Sequence, residues 1–188
     1  MSDVIEVMIH NQLYRFCSFH GDVAETSRQR ETLVSGYGGG GATYDGTGAT
    51  APVNISSKTI VHDEFFLVNE QGEEEHFHLQ NWTLPTRVGH KVQMIWIIPP
   101  KKNQGPYAVM NNKNLRQSEW ADGKIRELAK NHYSMIKWGG LIGAFILAMM
   151  FKSFWLLLIV AIGSYLIYRK KAGEVEREIR QQLEQMLI

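Results

Sequence analysis

The chain has 188 residues, 44% of them apolar, with 20 Lys and Arg against 19 Asp and Glu for a formal net charge of +1. That apolar content excludes a disordered chain, and a single cysteine, Cys17, excludes a disulfide scaffold or a cysteine-built zinc site. The near-neutral total is a cancellation: residues 1–100 carry 6 basic and 12 acidic side chains, and residues 101–188 carry 14 and 7.

Residues 1–34 form the first segment. Ile5, Met8, Ile9, Leu13 and Phe16 recur at helical spacing, and Asp3 with Glu6 reads as a capping box, so a helix is predicted. The residues around Met8 and Tyr14 would also serve as strands. Cys17 and His20 lie three positions apart, which is no nucleophile constellation by itself.

Residues 35–57 hold Gly36, Gly38, Gly39, Gly40, Gly41, Gly46 and Gly48. Such loops cradle phosphate when a Lys and a following helix complete them. Here no Lys or Arg occurs between Arg30 and Lys58, so the segment reads as a flexible interaction loop with Tyr37, Gly39 and Tyr44 as contact points.

Residues 58–112 are expected to be β-rich. Val61, Phe65, Leu67, Phe77 and Leu79 mark a hairpin over 59–82 that turns at Asn69-Glu70-Gln71-Gly72. Pairing Asn69 with Glu73 places Phe65 opposite Phe77 and Glu64 opposite His78. Further strands are predicted over 92–98, stopped by Pro99-Pro100, and over 107–110. The four strands suggest a small barrel-like or half-open sheet. His76 and His78 share a strand face with His62 nearby, a candidate metal set whose third ligand the sequence does not place. A solvent-facing His/Glu ladder is the plainer reading, and no cofactor is implied.

Residues 113–134 read as a stem helix capped by Ser118, with Trp120, Ile125, Leu128, Ala129 and His132 at helical spacing. The next segment, 135–168, contains a run from 138 to 168 whose only charge is Lys152. One straight helix through that 31-residue run would be about 46 Å long, overshooting a bilayer core of ~30 Å. Basic residues flank both ends, so two antiparallel arms, 135–151 and 154–168, are expected. Trp138, Lys152, Trp155, Tyr168, Arg169, Lys170 and Lys171 would anchor them at the interfaces. Gly139, Gly140, Gly143, Ala144 and Ala148 form small-residue strips suited to close helix approach. Residues 169–188 continue as an amphipathic helix through Val175, Ile179, Leu183, Met186 and Leu187.

The fold expected from these segments is an α+β membrane protein: a small cytosolic β-rich module followed by a long antiparallel α-hairpin with a membrane-embedded tip. The localisation that follows is the cell inner membrane, with both termini cytoplasmic. The expected function is non-enzymatic interaction or assembly, including self-association. A subunit of an oligomeric channel or transporter is the first alternative, and a metal-dependent membrane-bound enzyme the second. The expected partners are the lipid bilayer and either a second copy or another protein. Nucleic acid is disfavoured, because attraction to anionic lipid explains Lys101, Lys102, Lys113 and Arg116 more simply.

Overall fold

The computed structural model describes residues 3–38, 43–44, 47–48, 53–151 and 154–187. Among the described residues, nine strands precede three helices: β1 (Asp3–Ile9), β2 (Gln12–Gly38), β3 (Thr43–Tyr44), β4 (Thr47–Gly48), β5 (Val53–Val68), β6 (Glu74–Gln80), β7 (Lys91–Ile98), β8 (Tyr107–Asn112) and β9 (Gln117–Trp120), then α1 (Asp122–His132), α2 (Ser134–Phe151) and α3 (Phe154–Met186). Seven of the strands form one open sheet, ordered β6-β5-β2-β7-β8-β9 with β1 also on β2, and β3 pairs with β4 alone. The chain divides into two compact units, Met1–Gly21 with Lys91–Ile188, and Asp22–His90.

The N-terminal segment is a β-hairpin rather than a helix. Its register runs from Asp3 opposite Ser18 to Ile9 opposite Gln12. His10 and Asn11 occupy the two-residue turn with φ of 44° and 68°, the conformation that matches strand twist in such turns. The i, i+4 apolar spacing was shared by two strand segments, and their pairing across the His10-Asn11 turn decided between the two forms.

In the first unit, Phe16, Ile95, Ile97 and Val109 from the strands meet Ile125, Leu128 and Ala129 of α1 and Val175, Ile179 and Leu183 of α3 in one core. Both helical stripes predicted outside the apolar run are thus buried on each other and on the sheet. Gln93 ties β7 to the end of α3 by donating its amide to the Met186 carbonyl at 2.8 Å. Ser118 is not a helix cap; it lies in β9, and α1 begins after Ala121. Tyr133 separates α1 from α2, so the stem expected over 113–134 is the shorter helix Asp122–His132.

The second unit carries 4 basic and 10 acidic side chains, net −6, against +7 for the first. Here β2 runs beyond the sequence expectation, pairing with β5 as far as Gly38 opposite Val53. The predicted Gly-rich loop therefore begins as regular strand; Gly39 lies outside the described residues. The β5–β6 register is the one read from sequence, with Phe65 opposite Phe77 and Glu64 opposite His78. The Asn69 side-chain oxygen accepts from the N–H groups of Gln71 and Glu73 at 3.0 and 2.8 Å, and Gly72 supplies a φ of 78° that an L side chain rarely takes. Phe65, Leu67, Phe77 and Leu79 are buried on one face. On that side Arg28 donates to the Trp82 carbonyl at 3.2 Å and pairs with Asp63 at 3.0 Å.

Two expectations about architecture are corrected. The β-structure is a seven-stranded antiparallel open sheet, not a barrel-like module of a hairpin and two strands, because β1 and the length of β2 add pairing partners invisible to local pattern. The membrane-embedded hairpin is the second. Among the described residues, no helix is long and apolar enough to cross a membrane, which removes the support for transmembrane segments and for an integral inner-membrane location. The physical reason is length. α2 has 18 residues, about 27 Å, and the apolar part of α3 ends at Tyr168, where Arg169, Lys170 and Lys171 follow. The helical hairpin itself is present: a Cβ on Gly140 would lie 2.4 Å from Ser164 Cβ, so α2 and α3 touch there nearly backbone to backbone.

Candidate functional site

The first unit contains a polar network that joins three elements distant in sequence. The β1–β2 turn presents His10, whose Nδ1 meets the Tyr133 hydroxyl and whose Nε2 lies 2.9 Å from Glu178 Oε1. Four residues on, Tyr14 places its hydroxyl 2.9 Å from His132 Nδ1, with the two rings stacked. His132 and Tyr133 sit at the end of α1 and the break before α2, and Glu178 is on α3. Lys171 of α3 places its ammonium 5.6 Å from the centroid of the Tyr133 ring.

The charges of this network follow from burial. Desolvation, with the neighbouring Tyr133 second, pushes the Tyr14 hydroxyl up to about 12. Tyr14 therefore remains a donor, and His132 Nδ1 accepts. Desolvation and then the charge of His10 hold His132 below the ordinary histidine value, outweighing its hydrogen bond to the His10 backbone and the attraction of Glu178. Tyr133 is raised, by desolvation first and then by Glu174 and Glu178. With His10 donating Nε2–H to the Glu178 carboxylate, its Nδ1 accepts from Tyr133. The arrangement locks the turn, the helix break and α3 together.

Stability should therefore peak between two pH limits. His132, depressed in the fold, contributes stability present above pH ~6.5 and lost as pH falls through its folded value. Tyr14, raised in the fold, acts at the other end: the unfolded chain ionises first as pH rises above 10, and stability falls by about 2 kcal/mol on approach to 12. Urea midpoints measured from pH 5 to 12 should show both limbs. Tyr14→Phe should flatten the alkaline limb and cost about 1 kcal/mol at pH 8; an unchanged limb would mean that another group sets it.

Beside the network opens a cavity of about 510 Å³, lined by Asn11, Tyr14, Pro100, Lys101, Lys102 and His132 among others. Lys101 takes a φ of 62° in the turn closed by Lys102 N–H to the Pro99 carbonyl at 3.2 Å, a type II geometry set by Pro100. No carboxylate is among the described lining residues.

The residues singled out from sequence are distributed differently. His62 and His78 are brought together, with Nδ1 of one 3.4 Å from Nε2 of the other, whereas His76 stacks on Phe66 with ring centroids 4.4 Å apart. Among the described residues, no three His, Cys, Asp or Glu side chains are grouped to hold a metal. Tyr37 is exposed in β2 and Tyr44 lies in β3. Trp138 and Trp155 are 62% and 73% exposed, and Lys152 lies outside the described residues. Arg169 and Lys170 are exposed; Lys171 turns to Tyr133, and Tyr168 donates to the Lys130 carbonyl at 3.3 Å. Ala144 is buried, while a Cβ at Gly139 or Gly143 would meet nothing within 4 Å. Ala148 lies in α2. Cys17 is buried, which pushes its thiol up and leaves it unreactive.

Sequence reasoning missed the His10–Tyr133–Glu178 network altogether, since its partners are 123 and 168 positions apart. The one local signal was Asn11, a residue that tolerates a left-handed turn between two strand-like runs. No protein-family model, curated protein or solved structure matches the chain.

Proposed function

We propose that this protein is a non-enzymatic interaction and assembly protein that associates with further copies of itself through the outward face of the α2–α3 hairpin. One observation carries the reading. Trp138, Ile142, Phe145 and Met149 on α2, with Trp155 and Ile159 on α3, are each more than half exposed. An apolar face of this extent exceeds what a monomer in water ordinarily shows.

Two features favour a second copy as its cover. Gly140 and Ala144 are used inside the hairpin, whereas Gly139 and Gly143 leave open space along α2 where a neighbouring helix could approach closely. The two units carry net charges of +7 and −6, so copies attract one another at short range, ~8 Å at physiological salt.

Light scattering and crosslinking of the full chain test this. The expected result is a discrete dimer or larger closed assembly, at least tenfold weakened in the double variant Gly139→Leu, Gly143→Leu with secondary structure retained. A monomer at high micromolar concentration would overturn it. So would capture by neutral phosphatidylcholine vesicles in place of self-association, which would assign the face to lipid.

A further inference from the structure

We infer that the groove between α1 and α3 in the first unit binds a phosphate monoester. Tyr165, Arg169 and Gly173 succeed one another at intervals of four residues on α3, and Arg126 and Lys130 do so on α1, so each set shares a helix face. The two faces border one cavity of about 550 Å³, a volume within the range of small-ligand sites. Short side chains make the space. Ala129 and Ala172, which line it, are buried, and a Cβ on Gly173 would meet nothing within 4 Å.

The lining is basic. It holds Arg126, Lys130 and Arg169 against one carboxylate, Glu176. That carboxylate is already engaged: its Oε1 lies 3.1 Å from Arg180 and its Oε2 lies 3.8 Å from Arg126. Among the described residues, neither Lys130 nor Arg169 has a carboxylate within ion-pair distance. Like charges four residues apart on a helix repel, as Arg126 and Lys130 do, so an anion held between the helices removes a cost that the fold otherwise carries.

The donors suit phosphate. A guanidinium pairs with two phosphate oxygens through parallel N–H bonds, and an ammonium adds a point charge. A monoester carries close to two negative charges at pH 7.5, because its second ionisation lies at about 6. It therefore balances the surplus of two cations over carboxylates in the lining. The carbon side of the ester has its own wall. The Tyr165 and Tyr168 rings lie side by side, with centroids 6.4 Å apart and planes 36° from parallel. Tyr168 is fixed by donating to the Lys130 carbonyl at 3.3 Å, a bond that also ties the two helices together. Both a soluble phosphate ester and the headgroup of a lipid such as phosphatidic acid present this chemistry.

Calorimetric titration of the full chain with phenyl phosphate, at pH 7.5 and low salt to limit screening, tests the site. The expected result is one molecule per chain, with affinity lowered about fivefold or more by Lys130→Gln and by Arg169→Gln. Lys124→Gln is the control. It removes the same charge from α1, but Lys124 pairs with Glu127 at 3.6 Å and does not line the groove, so affinity should hold. Lys130 and Arg169 are exposed, so the exchanges leave the core intact, and circular dichroism verifies this. Vesicles of phosphatidylcholine with phosphatidic acid separate the two sources. Binding to them that both groove variants lose, without saturable binding of phenyl phosphate, would assign the phosphate to a lipid headgroup. No binding in either arm, or an equal loss in the Lys124 variant, would overturn the inference.

Discussion

Replacing Gly105 by alanine is expected to lower stability by about 3 kcal/mol or more, because it has the tightest approach at any of the described glycines. Gly105 lies in the connection between β7 and β8, where Ile97 N–H donates to the Pro106 carbonyl at 3.1 Å. The register shifts at this end, so that Ile95 opposes Val109 but Trp96 opposes Tyr107. That irregularity folds the connection onto β7, and a Cβ at Gly105 would stand 1.7 Å from the Ile97 carbonyl oxygen. The obstructing atom is backbone near the end of a core strand, so no rotamer change relieves it. Gly123 in α1 is the control, because a Cβ there meets nothing within 4 Å. Gly123→Ala should gain up to about 1 kcal/mol through helix propensity. Urea unfolding of both variants checks the pair, and a Gly105→Ala midpoint within error of the parent would refute the close approach.

The second large effect is expected at Ile179. Ile179→Ala should cost about 2–5 kcal/mol, the range for truncating a buried aliphatic side chain to leave a cavity. Ile179 has no exposed surface and lies between Val175 and Leu183 on the one stripe of α3 that faces α1 and the strands. If the end of α3 were an independent stem, the loss would be small and the helix would melt separately. Because the stripe belongs to the first unit's core, thermal unfolding followed by near-UV and far-UV circular dichroism should remain coincident and shift downward together. A separate low-temperature helical transition would count against this arrangement.

Much of the local structure was legible before any coordinates. Alternation of apolar residues about the Asn69-Glu70-Gln71-Gly72 turn gave the β5–β6 hairpin and its register, and Pro99-Pro100 marked the end of β7. The stripes on α1 and α3 showed which helical faces are buried, since a 3.6-residue period survives whatever the partner is. The N-terminal segment shows the limit. Ile5, Ile9 and Leu13 satisfy a helical spacing, yet hydrogen bonds to residues 12–18 and a left-handed pair at His10-Asn11 make it a hairpin. Likewise, the apolar stretch suggested a membrane crossing, and among the described residues no helix is both long and apolar enough to make one.

The candidate sites divide along the same line. The neighbourhood of His62, Glu64 and His78 was readable, because cross-strand pairing is fixed by one turn a few residues away. The same register sets His76 opposite Phe66, on which its ring stacks, so it too followed from that turn. The His10, Tyr14, His132, Tyr133 and Glu178 network left no trace in composition or spacing.

From the sequence alone came the segregation of charge behind a net +1, the two-arm helical hairpin and the amphipathic faces. All of these rest on local periodicity and on side-chain types. The tertiary structure alone decided that β1 and β2 complete a seven-stranded sheet, that Gly140 rather than Gly139 lies at the helix crossing, and that His10 meets Tyr133 and Glu178. Those outcomes depend on which distant segments meet, and the free energy of such meetings is shared between partners that no local window contains.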